Sequence, residues 1–264
     1  MKRYTAIAFL SACLFYSCKK TVVLNLDQAP SQIIIQGEVT NEPGPYNVTI
    51  NQSVDFYADN TFPAVSGAIV RITDNEGATD LLTETSPGVY STLLFQGKPG
   101  NTYTLSVSVQ NKNYVAVSTM PFPVLMDSVT FETSNGFGQQ QISAVVNFQD
   151  PAGIKNYYQF VEYKNGQQYT KNNFVFDDRL SDGKYIVSSL RNDSAYLKTG
   201  DQVEVKMYSI DAPAYNYLFQ LNQSSGSGAF NNTASPANPA SNISNDAFGY
   251  FSAHTTQSRR ITVY

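Results

Sequence analysis

Short runs of alternating apolar and polar residues dominate the chain from Gln32 to its end. Residues 46–51 alternate at a period of two, as a half-buried strand does, and residues 33–39 are rich in β-branched side chains. Clusters of Gly, Pro and Asn separate such runs about every ten residues, a spacing typical of β-sandwiches. The sequence therefore predicts an immunoglobulin-like β-sandwich over residues 32–120. The likeness concerns the sandwich architecture only, because the Cys and Trp hallmarks of antibody domains are missing.

Two prolines at 121 and 123 interrupt this pattern, since proline cannot donate a hydrogen bond to a central strand. Alternation then resumes and predicts a second β-rich domain over residues 126–264. A short helix is predicted near 212–223, where Asp211 can act as N-cap and apolar residues recur three and four apart. A long polar loop near 224–246 follows it. The predicted fold class is all-β (mainly β), with one short helix.

The N-terminal segment predicts export and lipid attachment. Two cations, Lys2 and Arg3, precede an uncharged apolar run that ends at Ser17 and Cys18. This resembles the lipobox of bacterial lipoproteins, which implies a signal peptide at residues 1–17, a lipidated Cys18 carrying palmitate-type chains, and a tether over 18–31. The alternative is an ordinary thiol just beyond a conventional cleavage site.

The composition argues against nucleic acid as a partner, and the sequence contains few of the residues and motifs that catalysis commonly uses. Only 14% of the residues are charged, 17 Lys and Arg stand against 21 Asp and Glu, and the pI is about 5.0, so no basic field is available for nucleic acid. The single histidine, His254, makes a His-rich zinc site impossible, and no Gly-x-Ser-x-Gly motif is present. We predict no catalytic residues and no cofactor, and interpret His254 as a partly exposed residue at a strand end.

Three acids close together are the candidate metal ligands. Asp177, Asp178 and Asp182 precede Gly183, and calcium prefers such oxygen donors, although the spacing differs from that of an EF-hand. The sequence favours a polar hairpin turn in which Arg179 offsets the charge of Asp178.

Tyrosine is abundant, with 18 residues, whereas tryptophan is missing. Tyrosine joins an apolar ring to a hydroxyl, so its clusters occur in glycan-binding platforms, in protein interfaces and in β cores alike. Eleven of the tyrosines fall in the second half, among them Tyr157, Tyr158, Tyr163, Tyr169, Tyr185, Tyr196, Tyr208, Tyr215 and Tyr217.

Several short sequence phrases, taken together in their order and spacing, resemble one family. They include Gly37-Glu38-Val39-Thr40-Asn41, Asn238-Pro239-Ala240-Ser241-Asn242 and Gly249-Tyr250-Phe251-Ser252-Ala253. They are similar to the outer-membrane lipoproteins of Bacteroidetes called the domain of unknown function 4249 (DUF4249) family. The resemblance implies two β-rich domains, lipid anchoring in the outer membrane, and association with TonB-dependent receptors. No enzymatic activity is established for the family.

We therefore expect a non-enzymatic, lipid-anchored outer-membrane protein that serves as an accessory or binding component of a TonB-dependent receptor or a similar envelope complex. The alternative is a surface glycan- or peptide-binding module, similar to an adhesin. We expect the anchored protein to face the cell surface rather than the periplasm, although Lys19 and Lys20 stand where surface lipoproteins usually carry acids.

Overall fold

A computed structural model describes residues 30–54, 61–136, 139–169, 173–191, 197–224 and 238–264. The predicted signal peptide, the lipidation of Cys18, nearly all of the tether, Tyr196 and much of the polar loop lie outside the described residues. Within the described ranges, no helix is both long and apolar enough to cross a membrane.

The described chain is mainly β, as predicted, and contains one helix. The strands of the first half are β1 (Ile33–Thr40), β2 (Asn47–Gln52), β3 (Ile69–Asp74), β4 (Thr79–Leu81), β5 (Thr83–Ser86), β6 (Val89–Ser91), β7 (Thr102–Val109) and β8 (Lys112–Thr119). The second half contains β9 (Met126–Gly136), β10 (Gln139–Gln149), β11 (Tyr157–Lys164), β12 (Gln167–Gln168), β13 (Phe174–Asp177), β14 (Tyr185–Ser189), β15 (Gln202–Ile210), helix α1 (Ala212–Ser224) and β16 (Phe248–Thr262).

Three sheets arrange these strands in a sandwich-like fold. A nine-stranded sheet runs in the order β12-β11-β15-β16-β1-β2-β6-β5, with β13 also paired to β11. A four-stranded sheet has the order β4-β3-β7-β8, and a three-stranded sheet the order β14-β10-β9. Apolar residues of the first two sheets, among them Ile35, Val48, Val70 and Leu105, form one buried core. Their period-two spacing turns them to one face of each strand.

The C-terminal strand joins the two halves of the chain. Strand β16 pairs parallel with β1, so that Ile35 lies opposite Gly249, and pairs antiparallel with β15 on its other side. Gly249 has a φ of +95°, and a Cβ there would lie 1.9 Å from the carbonyl oxygen of Ile35, so only glycine suits this position. The sequence pattern predicts two C-terminal strands, at residues 249–253 and 260–264, but the structure has one continuous strand there, β16.

Each half has a core of its own, although the sheet is shared. The second core includes Phe148 of the three-stranded sheet and Tyr158 and Val205 of the nine-stranded sheet. Residues 31–264 form one compact unit. A division into domains at residues 120–126 stays a prediction, because the first core also includes residues of the second half, such as Phe251, and both halves share one sheet.

Helix α1 covers part of the face of the nine-stranded sheet opposite the second core. Its buried residues include Tyr215 and Tyr217, whose rings lie 4.9 Å and 4.7 Å from those of Tyr157 and Tyr250. Asp211 caps the helix as predicted, because its Oδ1 accepts a hydrogen bond from the backbone N–H of Ala214 at 3.0 Å.

Candidate binding groove

A groove lies on the face of the nine-stranded sheet that carries helix α1. Side chains alternate along β16, so that Phe251 and Ala253 enter the first core while Tyr250, Ser252 and His254 turn to the opposite face. The parallel register places Glu38 beside Ser252 on that face. Residues from both halves of the chain therefore meet here.

Two adjoining cavities make up what we call the sheet groove. The first has a volume of about 240 Å³ and is lined by Glu38, Gln159, Val161, Tyr163, Gln168, Asn173, Tyr208, Tyr250, Ser252 and His254. The second, of about 250 Å³, is lined by Gln36, Gly37, Glu38, Asn47, Thr49 and Tyr250. The two cavities share Glu38 and Tyr250 as lining residues, so they lie next to each other on this face, over β11, β15, β16, β1 and β2.

Ring contacts hold the aromatic side chains of the sheet groove in place. The ring of Tyr208 lies 4.7 Å from the imidazole of His254, and the ring of Tyr250 stacks on that of Tyr217 at an interplanar angle of 28°. The Nζ of Lys206 lies 5.4 Å from the ring centre of Tyr163, within cation–π range. The tyrosines are thus fixed before any ligand arrives.

The titratable groups of the sheet groove tend toward their neutral forms. Burial lowers the pKa of His254 to about 4, so its imidazole is uncharged at pH 7. Burial raises the pKa of Tyr250 to about 12, and its hydroxyl keeps its proton. Glu38 contacts solvent, but the surrounding groove wall displaces part of its water and raises the pKa of its carboxyl, an effect opposed by the positive charge of Lys206. The groove therefore offers mainly neutral hydrogen-bonding groups.

The structure corrects the interpretation of His254 as a partly exposed residue at a strand end. The residue is only 4% exposed and lies inside the long strand β16. Its Nδ1 is 3.1 Å from the Oγ of Ser252, which is 2% exposed. A serine nucleophile must reach its substrate, so this buried pair is better suited to fixing the groove floor than to acyl transfer.

The three candidate aspartates separate into two groups. Asp177 is held by Arg179, whose Nε lies 2.8 Å from Oδ2, and by the hydroxyl of Tyr215 at 2.8 Å. The expected offset of Asp178 by Arg179 is therefore wrong, because the guanidinium reaches Asp177 instead. Asp178 and Asp182 lie together with a third acid, Asp150, with one carboxylate oxygen from each within 4.8 Å of the others.

The tyrosines divide between groove and core. Tyr163 and Tyr208 line the sheet groove, and Tyr157, Tyr215 and Tyr217 attach helix α1 to the sheet. Tyr158 and Tyr169 belong to the second core, and Tyr185 is 52% exposed on β14. The sequence analysis did not identify Glu38, Asn47, Tyr250 or Asp150 as site residues. The alternation of apolar and polar residues places these residues on strand faces or in turns. No short sequence pattern, however, indicates that β1 pairs with β16.

Comparison with known proteins gives the family of the chain. No curated protein matches it significantly. A family model described as "Domain of unknown function (DUF4249)" matches residues 19–260, which is nearly the whole chain and includes every residue of the sheet groove. The chain belongs to the DUF4249 family.

Proposed function

We propose that this protein is a non-catalytic binding component of the bacterial cell envelope, and that its sheet groove binds an extended, uncharged polar ligand of the oligosaccharide class. The observation that supports the proposal most directly is the length and the volume of the groove. Two adjoining cavities cross five strands, and their combined volume falls within the range of about 300–1,000 Å³ of known ligand sites.

The chemistry of the walls supports a sugar ligand. Side-chain amides from Gln36, Asn47 and Gln159 and the hydroxyl of Thr49 both donate and accept hydrogen bonds, as the hydroxyls of a sugar require. The faces of Tyr163 and Tyr208 offer apolar surface with a polar tip. No Lys or Arg is among the described residues that line the two cavities, so the groove favours such a ligand over a nucleotide or a phospholipid headgroup, whose phosphates need cationic partners.

Binding to a glycan array, followed by titration of the strongest ligand, tests the proposal. Tyr163→Ala should weaken binding about tenfold, which corresponds to about 1.4 kcal/mol. Tyr163 suits the test because it lines the groove, where the Nζ of Lys206 lies 5.4 Å from its ring centre. Tyr185→Ala removes an exposed tyrosine away from the groove and should leave affinity unchanged. Equal affinities for the wild type and both variants would refute the groove as the site, and binding of extended peptides alone would replace the sugar with a peptide.

The membrane context is also part of the proposal. Lipid attachment at Cys18 and assistance to a TonB-dependent receptor rest on the lipobox-like segment and on the family resemblance. Affinity purification from native membranes in gentle detergent should recover an outer-membrane barrel with the protein. Elution of the protein alone would remove the receptor from the proposal and leave the binding groove standing.

A further inference from the structure

Two loops outside the sheet groove bring three carboxylates together. Asp150 directly follows β10, and Asp178 directly follows β13 in the loop that also contains Asp182. One carboxylate oxygen from each lies within 4.8 Å of the others. Asp150 is 1% exposed and Asp178 is 3% exposed, while Asp182 is open to solvent. The cluster is therefore a mostly buried anionic site with one side accessible.

The protein groups around this cluster do not neutralise it. Asp150 accepts hydrogen bonds from the hydroxyl of Tyr158 at 2.5 Å and from the N–H of Gly183 at 3.0 Å. The N–H of Asn156 donates to Asp178 at 2.6 Å, and the N–H of Gly153 donates to Asp182 at 2.7 Å. Among the described residues, none of the three aspartates forms an ion pair with Lys or Arg. Buried charges without a counter-charge are costly, which indicates a missing cation.

An independent observation at Asn156 also indicates a ligand. This residue is only 7% exposed, and its side-chain Oδ1 is buried without a hydrogen-bond donor among the described residues. Because its own backbone nitrogen lies 2.6 Å from Oδ2 of Asp178, covalent geometry keeps the amide oxygen within about 7 Å of that carboxylate. A buried amide oxygen needs either a hydrogen-bond donor or a cation, and beside three carboxylates a single cation would satisfy both the amide oxygen and the carboxylate charges.

We propose that a calcium ion binds between these two loops, with Asp150, Asp178, Asp182 and the Oδ1 of Asn156 as its protein ligands. Carboxylate and amide oxygens are the donors that calcium prefers, at about 2.3–2.6 Å. The three carboxylate oxygens, all within 4.8 Å of one another, can contact one such ion together, because ligands on opposite sides of it stand about 4.6–5.2 Å apart. Magnesium demands a near-ideal octahedral shell and usually keeps several of its waters, so a site with this many protein oxygens favours calcium. Water completes the coordination on the open side at Asp182.

Calorimetric titration of the full chain, after treatment with EDTA, tests the site. Calcium chloride should bind at one site per chain with a dissociation constant below about 1 mM, and should raise the unfolding temperature. Magnesium chloride should bind at least about tenfold more weakly. No heat and no thermal shift with calcium up to about 10 mM would overturn the proposal, and equal responses to both ions would overturn the choice of calcium.

Two matched variants from the same loop locate the ion. Asp182→Asn should raise the calcium dissociation constant about tenfold or more because it removes one ligand charge, and its exposed position keeps the fold intact. Asp177→Asn removes the neighbouring acid that pairs with Arg179, and should leave the constant within about twofold. Unchanged affinity in Asp182→Asn, or equal weakening in both variants, would show that calcium binds elsewhere.

Discussion

Glu162 allows a quantitative test of how burial controls stability in this fold. Its side chain is fully buried on β11, on the same face as Tyr158 and Phe160. The hydroxyl of Tyr169 donates to its Oε1 at 3.0 Å, and its Oε2 has no partner among the described residues. Burial raises the pKa of Glu162 to about 8, against the smaller opposing effect of the Tyr169 hydrogen bond. The carboxyl therefore carries a proton in the folded protein at pH 7.

The effect of pH on the free energy of unfolding, in sign and in size, follows from the protons that Glu162 binds in the folded and the unfolded chain. Below pH 4.5 the carboxyl is protonated in both the folded and the unfolded chain, so Glu162 contributes no pH dependence. Between pH 4.5 and 8 the unfolded chain releases the proton while the folded chain keeps it, and the free energy of unfolding falls by about 1.4 kcal/mol per pH unit. From pH 5 to pH 8 the loss amounts to about 3.5 kcal/mol. Above pH 8 both states are ionised and the loss is complete.

Glu162→Gln should remove this fall in the free energy of unfolding between pH 5 and pH 8. Glutamine does not titrate and still accepts from Tyr169. Its unpaired amide N–H groups, like the unpaired O–H of a protonated glutamate, change stability by an amount that does not vary with pH, so this amount cancels from the pH dependence. Urea unfolding followed by far-UV circular dichroism suits a chain without tryptophan. The stability of the variant relative to the wild type should rise by about 3.5 kcal/mol between pH 5 and pH 8.

Glu132→Gln is the matched control. Glu132 is partly exposed and pairs with Arg191 at 3.3 Å; the nearby hydroxyl of Ser189 and this pairing lower the pKa of its carboxyl. Its contribution is lost only as the pH falls below about 4.5, so the difference between this variant and the wild type should stay constant from pH 5 to pH 8. A constant difference for Glu162→Gln as well would refute the assignment of a protonated, buried Glu162.

Three further predictions concern the sheet junction, the helix cap and the lipid anchor. Gly249→Ala places a Cβ against the carbonyl of Ile35 and should abolish soluble folded protein, whereas Gly77→Ala, at a similar φ of +93° in open space, should cost only about 1 kcal/mol in urea unfolding. Asp211→Ala should lower stability by about 1–2 kcal/mol in the same assay, because it removes the cap of helix α1. Cys18→Ala should abolish metabolic labelling with palmitate, and persistent labelling would disprove lipidation at that residue.

The individual strands and the helix can be predicted from the sequence because the residue pattern that indicates each one lies within its own segment. Alternation marks β1 and β2, and the spacing of apolar residues after Asp211 predicts the helix to within one residue of its observed end. Long-range partners leave no such signal. The run at the C-terminus appeared to be two strands because polar residues 254–258 separate its apolar parts, yet these residues lie in one strand between β15 and β1.

The aspartate cluster, too, could be predicted only in part from the sequence. Asp177 and Asp178 are neighbours in the sequence, but their side chains extend in opposite directions from the end of β13, toward Tyr215 in one case and toward Asn156 in the other. Alternation along a strand separates two acids that composition alone groups together. Asp150 joins the cluster only because two loops, one after β10 and one after β13, meet in the folded chain.

The parallel pairing of β1 with β16 connects stability and binding in this protein. Phe251 and Ala253 complete the first core from one face of β16, while Tyr250 and Ser252 line the sheet groove from the other. Without this strand, β1 would become an exposed edge and its core would lose two buried residues. The first half thus depends on the last strand both for its packing and for its share of the groove. A ligand in the proposed binding groove would therefore also stabilise the junction, because it would favour only the state in which β1 and β16 are paired.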